Sequence, residues 1–352
     1  MSSDGGKTTN RTVPALPSGL GKIRRLDRIS DAEGFIRVAA IDHPENYLAL
    51  FDTDVSLVGF EEVVESKLQL IDAMAPHCTA LLLDPVYSIG QAILSGAAAG
   101  SVGLLSGVEK LSYAPADSTT GWGSELAVRG DWSVETLAAL GVDGVKIVVF
   151  HRSDSGEVSD EQHVTIQRLA ADCAANELPL IVEPIWYPGP GEDLADPTIQ
   201  QLRSREIIGS AQSFAECGAD IMKVEFPGTV LGSVEDPDAA AAARDACGEL
   251  DSVLDLPWVL LSASVGFDAF AAQLQIAAAA GASGFMAGRA LWGDGVGRLP
   301  AEQRRRGAQV AADRLDRLAA IVGEYGRPAR QRPSVAESIA LLDADWHHRY
   351  RR

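Results

Sequence analysis

The chain has 352 residues, 46% of them hydrophobic, enough for one large domain or two ordinary ones. A net charge of −19 at pH 7 argues against a nucleic-acid or anionic-membrane surface, so any bound phosphate must find local positive charge and backbone N–H donors. No run approaches the roughly 18 apolar residues of a membrane span, and residues 1–20 are polar, lack a signal-sequence core and read as a flexible arm.

Beyond that arm, short β-branched runs alternate with longer Ala/Leu/Glu segments. The pattern predicts a strand over Ile36–Asp42, a helix over Phe60–Ala75, strands over Ala80–Asp84 and Val102–Ser106, and a helix over Ser133–Leu140. It continues with a strand over Val142–Phe150, a helix over Asp160–Ala175, a strand over Leu178–Glu183 and a helix over Arg203–Cys217. A strand over Ala219–Glu225, a helix over Pro237–Leu250, a strand over Trp258–Ala263, a helix over Phe267–Ala280 and a strand over Gly284–Ala287 follow. Such an alternation of eight strands with helices predicts an α/β fold of the (β/α)8 TIM-barrel type. A doubly wound open sheet is the rival, but the G-x-G-x-x-G loop of a dinucleotide fold is missing after Ile36–Asp42. Helices over Ala301–Tyr325 and Ser334–Asp345 would complete and cap the barrel. Without repeats or a linker, residues 21–345 read as one domain followed by a tail, 346–352. Cys78, Cys173, Cys217 and Cys247 show no metal-ligand spacing, which points to reduced thiols in a cytoplasmic protein.

Two lysines interrupt these apolar strands: Lys146 in Gly144-Val145-Lys146-Ile147-Val148 and Lys223 in Ile221-Met222-Lys223-Val224-Glu225. Burying an ammonium is unfavourable by several kcal/mol or more unless it is compensated. Desolvation and a second cation both lower a lysine's pKa, and an uncharged amine can attack a carbonyl to form a Schiff base. Period-two alternation turns both lysines to the inner face of even-numbered strands, where they can share a layer and approach one another. Other strands also end in polar groups: Asp42, Asp84, Glu183 and Ser262. Barrel sites form at that C-terminal rim, and the loops after strands seven and eight are the usual phosphate site. Here those loops are Ser262-Ala263-Ser264-Val265-Gly266 and Gly288-Arg289. Each feature has a plainer explanation. A strand lysine can snorkel to solvent, Asp42 and Asp84 can cap the next helix, and Glu183-Pro184 can be a turn. His43 and His151 read as loop residues satisfied by water, and Trp186, Tyr187 and Trp292 as packing.

The segments Ala40-Ile41-Asp42, Leu82-Leu83-Asp84-Pro85, Gly141-Val142-Asp143-Gly144-Val145-Lys146, Val182-Glu183, Ile221-Met222-Lys223-Val224-Glu225, Leu261-Ser262-Ala263 and Ala287-Gly288-Arg289-Ala290-Leu291-Trp292 occur in one order. In that order the chain resembles the class I tagatose 1,6-bisphosphate aldolases, and likewise the sulfofructose phosphate aldolases, over about residues 36–295. The resemblance implies a Schiff-base (β/α)8 enzyme with Lys223 as the imine-forming lysine, Lys146 as its second lysine and Glu183 as the acid moving protons at the imine. It implies Asp42 at the substrate hydroxyls, and Ser262 and Arg289, with the Ala263 and Gly288 backbone, on the ketose 1-phosphate. Relatives usually follow the first aspartate with glutamine and arginine; Asp42-His43-Pro44-Glu45-Asn46 removes a cation from that loop.

The reading that follows is cleavage of a ketose (bis)phosphate to dihydroxyacetone phosphate and an aldehyde such as glyceraldehyde 3-phosphate, through an imine with no cofactor and no metal. The expected partner is a small sugar phosphate, with no nucleic acid or membrane; a homo-oligomer is allowed but not specified. Two rivals are a lyase or hydrolase with a metal held by Asp42, Asp84, Glu183 and Glu225, and a non-catalytic sugar-phosphate sensor.

Overall fold

The computed structural model describes residues 19–110, 126–228, 237–263, 265–342 and 344–350, so the expected arm up to residue 18 and Ser264 lie outside the described residues. The chain begins with α1 (Leu20–Arg28), β1 (Ile36–Ile41), α2 (Pro44–Leu48), α3 (Phe60–Met74), β2 (Ala80–Leu83), α4 (Ile89–Ser95), β3 (Gly103–Gly107), α5 (Val134–Leu140) and β4 (Gly144–Phe150). It continues through α6 (Glu157–Ala175), β5 (Leu180–Ile185), α7 (Pro197–Glu216), β6 (Ile221–Val224), α8 (Pro237–Val253), β7 (Trp258–Leu261), α9 (Phe267–Ala280) and β8 (Gly284–Ala287). After β8 come α10 (Arg289–Trp292), α11 (Ala301–Tyr325), α12 (Val335–Leu341) and α13 (Trp346–Arg349).

The strands pair in parallel in chain order and β1 closes on β8, giving the TIM barrel that the alternation predicts. At the closing seam Ile36 pairs with Gly284, whose φ is +153°. A Cβ there would lie 1.7 Å from the Ile36 carbonyl oxygen, so the seam closes only on glycine. Outward residues such as Val145, Ile147 and Val149 pack under the helices. Inward residues near the strand starts, among them Ile36, Val38, Leu82, Leu105, Ile181 and Ile221, form a separate apolar floor. The polar inner residues Lys146, Glu183 and Lys223 sit above that floor. Buried charge is thereby confined to the end of the barrel where loops can supply partners.

Helix α1 closes the opposite end. Ile29, just after it, joins the floor, while Lys22 pairs with Asp220 (2.9 Å) and Arg28 with Asp143 (2.8 Å). These aspartates stand immediately before β6 and β4, and anchor the helix to the strand starts. The expected tail is helical at Trp346–Arg349; beyond it the Tyr350 hydroxyl bonds Glu177 and accepts from the Gly21 N–H (3.1 Å).

Boundaries differ from expectation where caps were overlooked. Helix α7 begins at Pro197 rather than Arg203, because Asp196 caps it by accepting from Thr198 N–H and Pro197 opens its first turn. Strand β6 stops at Val224, since Glu225 leaves the ladder to accept from Arg203 (3.0 Å) and the Trp186 N–H (2.9 Å). Among the described residues no helix is long and apolar enough to cross a membrane.

Candidate active site

Alternation along β4 turns Lys146 inward with no solvent exposure at all. Its ammonium donates to Asp42 Oδ2 (3.0 Å) and Glu109 Oε1 (2.9 Å) and lies 2.9 Å from Glu183 Oε2. The other oxygen of Glu183, Oε1, is 2.8 Å from Lys223 Nζ. The two lysines therefore approach one another as expected, but one carboxylate lies between them. In the ladder Lys146 aligns with Ile181 and, through it, with Ile221 rather than Lys223. An eight-stranded barrel with shear of about 8 staggers by about one residue per strand, which brings residues offset in this way on alternate strands to one level.

The expectation that burial lowers the pKa fails at Lys146. Burial does push it down, but Asp42, Glu109 and Glu183 together outweigh that and hold it well above the usual lysine range. Burial would likewise raise Asp42 and Glu183. The charges of His43 and Lys146 hold Asp42 well below its ordinary value, and those of Lys146 and Lys223 lower Glu183. Lys146 is thus a fixed cation held between Asp42, Glu109 and Glu183.

Above this cluster opens a cavity of about 550 Å³, an ordinary size for a small-molecule site. Asp42, His43, Glu183 and Lys223 form one side of it, and Ser262, Ala263, Gly288 and Arg289 another. All the residues expected at the site except Lys146 line it; Lys146 lies beneath, behind Asp42 and Glu183. On the far wall the Gly288 N–H donates to Ser262 Oγ (3.3 Å), and Val265 N–H closes a turn on the Ser262 carbonyl (3.0 Å). Ala263, between them, has φ +39°, a conformation that a side chain disfavours by about 1–3 kcal/mol and that clusters at ligand sites. Arg289, at the start of α10, adds positive charge.

Sequence reasoning missed three participants. Glu109 binds Lys146 from the loop after β3; its signal is an acid just past a strand end, as with Asp42. His43, read as a loop histidine, lines the cavity with Nδ1 3.2 Å from Asp42 Oδ1. Lys67 of α3 is a third buried lysine, donating to the Ile41 carbonyl (2.9 Å) and Asp84 Oδ2 (2.5 Å) beneath the Tyr47 ring. It shares the helix face of Val63, Leu70, Ile71 and Met74, a periodicity that could have revealed it. Burial lowers its pKa despite Asp84.

The remaining expectations separate cleanly. Asp84 is a turn acid, accepting from the Val86 and Tyr87 N–H groups and the Ser88 hydroxyl. His151 bonds Gln162 and packs edge-on against Phe214. Trp292 donates to the Ala40 carbonyl (3.0 Å) and packs on Tyr47, though it also lines the cavity. The four carboxylates offered to a metal do not converge: Asp42 and Glu183 serve Lys146, Asp84 serves Lys67 and Glu225 serves Arg203. No three His, Cys, Asp or Glu residues among those described form a metal-binding group. Where carboxylates do converge, the Lys146 ammonium occupies their centre.

Comparison with known proteins gives the same direction. The family model of the DeoC/LacD family aldolases matches residues 38–294. Tagatose 1,6-diphosphate aldolase 2 of Enterococcus faecalis is 30% identical over 292 residues, covering 78% of this chain and 84% of that protein. The tagatose 1,6-diphosphate aldolase of Listeria monocytogenes serotype 4a is 29% identical, covering 78% and 82%. Among solved structures, a Schiff-base-forming fructose-1,6-bisphosphate aldolase superposes with a TM-score of 0.55 at 19% identity, over 86% of this chain and 99% of that one. A fructose-bisphosphate aldolase from Slackia heliotrinireducens gives 0.58 at 16% identity, over 91% and 96%. These two likenesses establish a shared fold. The match over the whole of the barrel, from β1 to α10, is decisive for ancestry: the chain belongs to the DeoC/LacD aldolase family.

Proposed function

We propose that this protein is a class I ketose bisphosphate aldolase, acting on a sugar such as tagatose 1,6-bisphosphate, with Lys223 as the imine-forming amine. The observation that carries the reading is the placement of Lys223. Its amine reaches the cavity, shares one carboxylate with the fixed cation Lys146, and faces the Ser262–Arg289 wall. The names of the curated relatives support the substrate class.

In this mechanism Lys223, after giving up a proton for which Glu183 is the nearest acceptor, attacks C2 of the open-chain ketose. Loss of water forms the iminium, with Glu183 moving the protons. The C3–C4 bond then breaks, its electron pair entering the iminium to form an enamine, while a base takes the C4 hydroxyl proton and the aldehyde leaves. Protonation at C3 and hydrolysis release dihydroxyacetone phosphate. The iminium is itself the electron sink, so this route calls for no metal. Ser262 Oγ, the Ala263 and Gly288 backbone and Arg289 hold the 1-phosphate through charge-assisted hydrogen bonds. Lys146 stabilises negative charge developing on the substrate oxygens without reorganising, because its position is already fixed. The cytoplasm is the proposed compartment, supported by four cysteines that are all unpaired.

The test is reduction with borohydride in the presence of tagatose and fructose 1,6-bisphosphates, with a chelator added, followed by peptide mapping. A mass increment on Lys223 is expected. No increment there with any ketose phosphate, or activity abolished by the chelator, would overturn the reading.

A further inference from the structure

We propose that Lys110 and Arg129 hold the distal phosphate of the substrate, the one that leaves on the aldehyde product. The inference rests on the aldolase reading above. A ketose bisphosphate brings a second phosphate to the rim of a protein whose net charge is −19, so that group needs local cations. Among the described residues lining the main cavity, Lys223 and Arg289 are the only lysine and arginine. The first is consumed by the imine and the second faces the 1-phosphate. The stretch after β1, from His43 to Leu50, contains neither residue type. The distal phosphate must therefore find its counter-charge elsewhere.

A second recess, of about 150 Å³, adjoins the cavity and shares Asp42 and Glu45 with it. Its other walls come from the ends of β2 and β3, with Asp84, Glu109, Lys110 and Arg129 among them. Strand order places these loops across the barrel mouth from β6 and β7. A sugar held at C1 by the Ser262–Arg289 wall and at C2 by Lys223 thus extends past Asp42 toward this recess. Backbone pairing sets the two cations side by side. Glu109 forms an antiparallel bridge with Val128, the Lys110 N–H donates to the Ala127 carbonyl (2.7 Å), and the Arg129 N–H donates to that of Val108 (2.8 Å). Such pairing puts Lys110 and Arg129 diagonally on one face, about 7–8 Å apart at their Cα atoms, close enough for two long side chains to share one phosphate. Both charges are available. Among the described residues the Lys110 ammonium has no ion-pair partner, and Arg129 has only Asp131, 3.9 Å away and 86% exposed. Most of the carboxylates of the recess are already neutralised, Asp42 and Glu109 by Lys146 and Asp84 by Lys67. Glu45 alone opposes an anion there.

Aldol condensation separates the two phosphates, since dihydroxyacetone phosphate carries the proximal one and glyceraldehyde 3-phosphate the distal one. The wild-type protein is compared with Lys110→Met, Arg129→Met, the double variant and Lys110→Arg. KM for glyceraldehyde 3-phosphate is measured alongside the dihydroxyacetone phosphate concentration that half-saturates borohydride trapping at Lys223. The proposal expects that KM to rise about 10-fold in each methionine variant and about 100-fold in the double one. Half-saturation of trapping should stay at the wild-type value, and Lys110→Arg should keep KM near it. An unchanged KM in the double variant, or dihydroxyacetone phosphate trapping weakened in step with it, would overturn the proposal. So would a Lys110→Arg protein as impaired as Lys110→Met. Failure of the wild-type protein to trap dihydroxyacetone phosphate would instead overturn the aldolase reading itself.

Discussion

Replacing Lys146 by methionine removes the one buried cation that Asp42, Glu109 and Glu183 share, while conserving much of the side-chain volume. Breaking a buried ion pair from one side destabilises a protein by about 3–5 kcal/mol, because the remaining charge is left without a partner. At roughly 2.1 cal/mol/K of unfolding entropy per residue, a chain of 352 residues should lose about 4–7 °C in Tm. The pH dependence is the sharper signature. Asp42 and Glu183 are depressed in the folded protein, so the stability they contribute is present above their unfolded values and is lost as pH falls through their folded ones. Lys146 is raised, so its contribution is present below its unfolded value and is lost only as pH rises through the folded one. Between about pH 5 and 10 the wild-type cluster should therefore contribute evenly. In Lys146→Met the carboxylates favour their neutral forms, so the variant should be closest to wild type near pH 5 and lose stability as pH climbs to 8. Thermal and urea unfolding at both pH values measure this. A variant within 1 kcal/mol of wild type at pH 8, or equally destabilised at both, would refute the picture of a fixed cation held between Asp42, Glu109 and Glu183.

Arg289→Ala removes one charge-assisted contact to the proposed 1-phosphate, an interaction of about 1.5–3 kcal/mol. KM for the ketose bisphosphate should rise about 10–100-fold with a smaller change in kcat, and steady-state kinetics would show it. Gly284→Ala sets a methyl group 1.7 Å from the Ile36 carbonyl oxygen at the barrel seam. This variant should fail to fold to a soluble, protease-resistant form at 25 °C, as limited proteolysis of the expressed protein would reveal.

The barrel and the two strand lysines were legible because inner-face alternation leaves a lysine conspicuous in an apolar run, as at Lys146 and Lys223. That Ser262, Ala263, Gly288 and Arg289, the proposed phosphate site, line one cavity was legible because small residues and an arginine follow the last two strands. Linkage was harder. That Glu183 binds both lysines depends on the stagger between β4, β5 and β6, which no single strand encodes. Glu109 was missed because its partner lies on the neighbouring strand, and Lys67 because a helix rich in glutamate hid a lysine on its buried face. His43 was read as a loop residue; that it lines the cavity depends on where the chain leaves β1, which the sequence pattern does not encode.

One carboxylate with two ammonium neighbours has a consequence for turnover. The nucleophile of an imine cycle alternates between charged and uncharged forms, and each change would ordinarily strand an anion in a dry interior. Glu183 never loses its last counter-ion, because Lys146 stays protonated on the far oxygen whatever happens at Lys223. Lys223 can therefore change its charge, as the proposed imine cycle requires, beside a carboxylate that keeps a counter-ion throughout.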